Sequence, residues 1–311
     1  MLLILLTTVG LAMARQISIP GPAPATSKPG LVNHQSVLNN LLLYASYCDT
    51  CVETALETCN RISEQHQQPS FIQEAKEVLK EISVMINKSE SRPRHCKDLL
   101  DSGDTGSGLR LVYPYPGQPH HNVTVFCEHT VDGGGWTVFQ RRSSDSIRQD
   151  FNRTWIEYKL GFGDIEAEFW MGLELLHVLT STTLQELRID LADYEGGERW
   201  AKYGVFNVGS DEAKYRLSVG RYSGDAGDAM TDSHGQSFST HDQDNDALNT
   251  LNCAEVWRGG WWFKICGHTN LNGYQYQGTY STHHHEGIFW HQWHGWKYSL
   301  RQTSMMIRPA F

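Results

Sequence analysis

The chain has 311 residues, 40% of them hydrophobic, and its 26 basic against 35 acidic side chains give a net charge of −9. That length accommodates one large domain plus an extension. The acidic balance, with no basic stripe anywhere in the chain, argues against a nucleic-acid partner.

Residues 1–14 are a short apolar run ending in Ala12-Met13-Ala14, a small-x-small cleavage pattern ahead of Arg15. A membrane-spanning helix needs roughly 20 apolar residues, so the run reads as a signal peptide, and no later stretch suits membrane insertion. The mature protein is therefore expected to be secreted. Outside the cell the seven cysteines are disulfide candidates, and an odd count leaves a thiol free or paired with another chain. Sequons at Asn87, Asn122 and Asn152 suit N-glycosylation in the same compartment.

Residues 15–36 hold Pro20, Pro22, Pro24 and Pro29 among Gly, Ser and Thr, and read as a flexible leader. Over 37–92 the pattern becomes helical. Leu38, Leu41, Ala45, Cys48, Val52, Ala55, Cys59 and Ile62 alternate steps of three and four, the heptad spacing of a coiled coil. Each such helix needs a partner to cover its seam, which predicts a homo-oligomer. Cys48 and Cys59 lie on the seam and Cys51 beside it, so all are candidates for links between chains. Pro69 interrupts the first helix, and Phe71, Ala75, Val78, Ile82 and Met85 form a second amphipathic piece.

The main domain is expected over 93–311. Leu109–Tyr113 and Val123–Cys127 read as strands, so a Cys96–Cys127 bridge would tie two nearby segments. Gly133-Gly-Gly135 opens a turn into another strand-like run ending at Arg142, and lacks the Gly-Lys-Ser/Thr ending of a nucleotide-binding loop. Ile165–Thr180 has helical spacing on its apolar side. Leu187–Leu191, Tyr203–Asn207 and Tyr215–Val219 alternate like strands between Gly/Asp turns. Strands spaced by turns, with few helices, indicate an α+β domain on an antiparallel sheet.

From Asp242 to Trp290 little reads as regular structure. Two features could hold this segment: a short Cys253–Cys266 disulfide loop, and the alternating run Asp242-Gln-Asp-Asn-Asp246, which suits a hard cation.

Taken together, Cys96-x-x-Leu-Leu, Gly134-Gly-Trp-Thr-Val-Phe-Gln-Arg-Arg142, Glu168-Phe-Trp-Met-Gly172, Tyr222-Ser-Gly-Asp-Ala-Gly-Asp228, Asn252-Cys253-Ala, Gly260-Trp-Trp262, Asn270-Leu-Asn-Gly273 and Met305-Met-Ile-Arg-Pro309 resemble the fibrinogen C-terminal domain family. The resemblance covers 93–311 in order. It implies a small N-terminal subdomain, a central antiparallel sheet with helices, and a loop-rich C-terminal subdomain that binds calcium and ligand. With no Gly-X-Y stalk, the chain is more similar to tachylectin-type lectins and angiopoietin-like proteins than to ficolins.

The resemblance implies Ca2+ bound by the side chains of Asp244 and Asp246 and the carbonyls of Leu248 and Thr250, in a stretch one residue longer than is usual. It implies a ligand pocket around Asn252, Cys253, Trp257, Gly267, His268, His284 and His285, with a cis Asn252–Cys253 peptide. Trp257 stands where tyrosine is common, and Gly267 where histidine usually follows the cysteine. The neighbouring loop histidines, His283–His285 with His291 and His294, lack a carboxylate at metal-site spacing and read first as surface or stacking groups.

The leading expectation is thus a calcium-dependent, oligomeric pattern-recognition lectin for acetylated or related glycans on microbial or cell surfaces. The alternative is an angiopoietin-like signalling ligand whose globular end meets a receptor protein. A clot-type polymer ranks lower, since no Gly-Pro-Arg terminus follows Ala14. No nucleophile motif suggests an enzyme.

Overall fold

β1 (Gly108–Val112) and β2 (Val123–Glu128) pair antiparallel, from Gly108 opposite Cys127 to Val112 opposite Val123. This is a computed structural model, and it describes residue 80 and residues 92–310 apart from 116, 117, 119 and 145–147. The signal peptide, the leader, Asn87, Cys48, Cys51, Cys59 and nearly all of the expected coiled coil lie outside the described residues. A compact unit runs from Pro93 to Phe311.

Helix α1 (Cys96–Asp101) starts with a buried cysteine that bonds to Cys127 on β2, with Cα atoms 5.4 Å apart. Both sulfurs sit in a small core with Val112 and Val125, so the bridge fastens the helix to the hairpin. Gly133, Gly134 and Gly135 all take positive φ. A Cβ on Gly134 would lie 2.7 Å from the His129 carbonyl oxygen, and this close turn delivers the chain into β3 (Trp136–Arg142).

Helix α2 (Trp155–Leu160) is opened by a capping box, in which the Thr154 amide and hydroxyl both donate to Glu157. Then β4 (Phe162–Gly163) and β5 (Phe169–Trp170) precede α3 (Leu173–Ser181). The helix expected over 165–180 therefore begins only at Leu173. Gly172 is the reason: its φ is +106, and a Cβ there would meet the Leu160 carbonyl at 2.9 Å. The apolar residues before it pair with strands instead, Phe169 opposite Arg141 and Gly163.

β6 (Gln185–Ala192), β7 (Glu198–Val208) and β8 (Leu217–Gly224) form the meander that their alternation predicts. Tyr215, expected in the last strand, falls before it with φ +50. Beyond β8 the elements are short: α4 (Cys253–Val256), β9 (Thr269–Asn270), β10 (Gly278–Thr279), β11 (Phe289–Trp290), α5 (His291–His294) and β12 (Tyr298–Ser299). The tail, β13 (Gln302–Pro309), returns to the middle of the sheet, giving the order β1-β2-β3-β13-β6-β7-β8 with every pairing antiparallel.

An aromatic core covers this sheet. Trp262 packs edge-on against Phe238 with centroids 5.1 Å apart, and Tyr158 and Trp170 pack at 5.5 Å. Gly260 lets the C-terminal loops approach the core, since a Cβ there would lie 2.7 Å from the Tyr158 ring. Side chains replace ladders in tying this segment down. Gln140 on β3 donates to the Leu271 carbonyl at 3.0 Å, and Arg142 to that of Gly273 at 2.8 Å. Asn270 and Asn272 then hold the carbonyls of Trp257 and Gly260 at 2.9 and 3.0 Å. Buried amides and guanidinium here satisfy carbonyls that no strand partner reaches.

Candidate functional site

The acidic run divides its labour. Asp242 accepts the Trp155 amide at 2.9 Å, capping α2, and takes the Thr240 hydroxyl at 2.7 Å. Asn245 donates to the Phe238 carbonyl at 2.7 Å. Asp244 Oδ1 accepts the Asp246 amide at 3.1 Å. Asp246 is the hub, with Oδ1 accepting the Leu248 amide at 2.7 Å and Oδ2 the Cys253 amide at 2.8 Å.

Burial raises the Asp246 carboxyl above its ordinary value and the charge of Asp244 raises it further, against the pull of the Cys253 and Leu248 amides. Crowded carboxylates of this kind are relieved by a hard dication with oxygen ligands, so the donor set fits calcium. Leu248 is half-buried at the loop's inner edge and Thr250 is exposed.

Cys253 bonds to Cys266 with Cα atoms 5.3 Å apart. The Asn252–Cys253 peptide, expected cis, is trans, as is every peptide among the described residues. In this form the Cys253 amide reaches Asp246, while Asn252 caps α4 by accepting the amides of Ala254 and Glu255 at 2.8 and 3.3 Å. The Asn252 side-chain amide also donates to the Thr240 carbonyl at 2.9 Å. The acidic loop, the disulfide and α4 are thereby one hydrogen-bonded unit.

Rings gather beside it. Trp257, the residue after α4, is buried edge-on against Phe263 and Phe289 at 5.4 and 5.3 Å. His285 meets Trp257 at 5.9 Å and stacks on Trp296 at 5.6 Å. His291 packs on Trp296 at 3.8 Å, and His268 lies 5.1 Å from His291 with Nδ1 2.5 Å from the Asp232 carboxylate. The Trp296 indole donates to the Gly267 carbonyl at 3.4 Å.

Of the expected pocket residues, Trp257, Gly267, His268 and His285 come together around Trp296. His284 is exposed, and its carbonyl accepts the Thr282 hydroxyl at 2.8 Å. Asn252 and Cys253 support the floor. Trp296 and Asp232 escaped the sequence reading; Trp296 is 38% exposed, and its place two residues after His294 is the sequence signal that could have found it. Burial holds the His285 and His291 rings below the usual imidazole pKa, helped by Lys297 near His285 and His268 near His291.

The remaining predicted positions lie elsewhere. Asn122 is exposed before β2, whereas Asn152 is half-buried with its Oδ1 in no hydrogen bond. A separate open cleft of about 630 Å³ on the sheet is lined by Arg141, Arg188, Asp190 and Trp200; Arg188 and Asp190 pair at 2.8 Å. Among the described residues no helix is long and apolar enough to cross a membrane.

Known proteins share this architecture. The pattern described as fibrinogen beta and gamma chains, C-terminal globular domain, matches residues 92–310. Ryncolin-4 of Cerberus rynchops is 42% identical over 217 residues, 70% of this chain and 61% of its own. Human fibrinogen C domain-containing protein 1 is 42% identical over 222 residues, 69% of this chain and 46% of its own. The chain thus spans about half to three-fifths of the length of these curated relatives.

Among solved structures, the fibrinogen-like globe domain of human ANGPTL2 is 39% identical with a TM-score of 0.67, covering 70% of this chain and 100% of that one. A lamprey fibrin D-dimer complexed with the peptide Gly-His-Arg-Pro-amide is 30% identical with a TM-score of 0.65, covering 89% and 94%. This chain belongs to the fibrinogen C-terminal domain family.

Proposed function

We propose that the protein is a secreted, calcium-stabilised recognition protein that binds acetylated or related glycans on microbial or cell surfaces, as in innate immune defence. One observation carries the reading. Asp246 accepts the Cys253 amide at 2.8 Å, so the loop suited to a cation and the floor beneath Trp257, His285 and Trp296 form one unit.

In this reading Asp244 and Asp246, with the carbonyls of Leu248 and Thr250, hold calcium, which supplies a fixed positive charge to the loop. The chain's own residues do the recognition. Trp257, His285 and Trp296 offer apolar and ring faces for an acetyl methyl or sugar face, and the residues around the disulfide offer polar atoms. Stacking faces and hydrogen-bond donors are binding chemistry, not turnover. Each single site is weak on this view, and oligomerisation through residues 37–92 turns weak sites into avidity.

A glycan array with the full chain, in calcium and in chelator, is the test. Calcium-dependent binding to acetylated glycans that Trp296→Ala abolishes is the expected result. Binding to none in calcium sinks the proposal.

A second reading, a receptor-binding ligand, is favoured by Gly267, which presents no side chain at the pocket mouth, and by the 39% identity to the ANGPTL2 globe. A cell-surface receptor captured by the full chain that sugars fail to displace would select it.

A further inference from the structure

Away from Trp257 and Trp296, the β6–β7 turn and α5 bring together three metal-ligating side chains. Asp193 follows β6, Glu195 lies in the turn, and His294 closes α5, 101 residues after Asp193 in the chain. One ligand atom from each lies within 4.8 Å of the other two, and no other such group of three is found among the described residues.

The cluster is built rather than incidental. Asp193 has a side chain only 6% exposed. Its Oδ1 accepts the Glu195 amide at 3.0 Å and the Gly197 amide at 2.6 Å, which leaves Oδ2 facing His294 Nε2 at 3.0 Å.

Gly197 permits the enclosure: a Cβ there would sit 2.5 Å from Asp193 Oδ2 and 3.1 Å from the Trp293 ring. Tyr298 completes the surround. Its hydroxyl donates to the Glu195 carboxylate and accepts the Tyr194 amide, and its ring stacks on His294 at 4.1 Å.

Asp193 pairs with His294 and Glu195 accepts the Tyr298 hydroxyl, yet these separate pairings bring three ligand atoms to one point. Two carboxylates and one imidazole each place a ligand atom within 4.8 Å of the other two, a mixed oxygen and nitrogen donor set. We propose that Asp193, Glu195 and His294 form a binding site for a first-row transition-metal dication of the zinc class, clamping α5 onto the β6–β7 turn. Zinc takes mixed nitrogen and oxygen donors, with water in the remaining position when the protein supplies three. Calcium wants six to eight oxygens and does not suit an imidazole donor. Since α5 begins at His291, which packs on Trp296, the clamp would also steady the ring wall.

The test is titration of the full chain with Zn2+ by calorimetry and with Co2+ by visible absorption, in saturating calcium so that the Asp244/Asp246 loop is already occupied. Three proteins are compared: native, E195Q and H294Q. Gln at 294 retains a donor toward Asp193, and Glu195 is exposed, so both variants should fold, as melting without added zinc will show. The expected result is a Zn2+ site in the native chain that each variant weakens about tenfold or more, with zinc raising the melting temperature of the native protein only. Absence of that site from the native chain, or zinc affinity unchanged in both variants, overturns the proposal.

Discussion

Replacing Asp244 by Asn separates the metal role of the acidic loop from its structural one. Asn keeps an oxygen to accept the Asp246 amide, which Asp244 now takes at 3.1 Å, but removes the charge that pushes the Asp246 carboxyl up. In chelator, D244N should therefore be as stable as the native chain or slightly more so. In calcium the balance reverses. A ligand present at a hundred times its Kd adds about 2.7 kcal/mol to the folded state, and a hundredfold loss of affinity leaves about 0.4 kcal/mol of that. For a domain of this size each kcal/mol moves Tm by roughly 2–4 °C. Calcium should thus raise the native Tm by roughly 5–11 °C and the D244N Tm by no more than about 2 °C. Calorimetry of both proteins in calcium and in EDTA reads all four values. Equal calcium shifts in the two proteins, or no shift in the native one, would refute the reasoning; so would a loss on substitution that is the same in EDTA.

Other expectations follow from the packing and the charges. Gly260→Ala places a Cβ 2.7 Å from the Tyr158 ring and 2.8 Å from Phe238, and should cost about 1–3 kcal/mol of overpacking. Gly220→Ala, inside β8 with nothing within 4 Å of the new Cβ, should raise the denaturation midpoint through about 0.4–1 kcal/mol of added stability. Breaking the disulfide with C253S/C266S reopens a 13-residue separation, at a cost of about 3 kcal/mol; a protein that keeps both its melting temperature and its glycan binding would contradict the proposed role of the bridge.

His285 and His291 have folded pKa values below the unfolded 6.5. The folded state then binds fewer protons than the unfolded state, so their contribution to stability declines as pH falls below about 6.5. H285Q/H291Q should flatten the slope of stability between about pH 7 and 5 relative to the native chain, and an identical slope in both would count against these rings as its source.

The strands around Leu109–Val112, Val123–Cys127 and Leu187–Leu191 were readable because burial alternates along each of them, and alternation is local. Both disulfides found here join cysteines that the sequence already placed in neighbouring segments. The helix boundary at Leu173 was not readable from apolar spacing, because Gly172 is held at positive φ by the approach of Leu160, 12 residues away. His284 and His285 are indistinguishable by composition; only the path of the loop sends His285 onto Trp296 and leaves His284 exposed.

By itself the sequence determined the strands of the β1–β3 and β6–β8 regions, the family, and the cysteine pairs of the described domain. All of these depend on residue types at short spacing. Tertiary structure alone decided that the last strand lies between β3 and β6, that the Asn252–Cys253 peptide is trans, and that His294 meets Asp193. Those outcomes rest on contacts between residues far apart in the chain, such as Thr137 opposite Ile307, 170 positions on, where no local period carries the information and packing selects the partner.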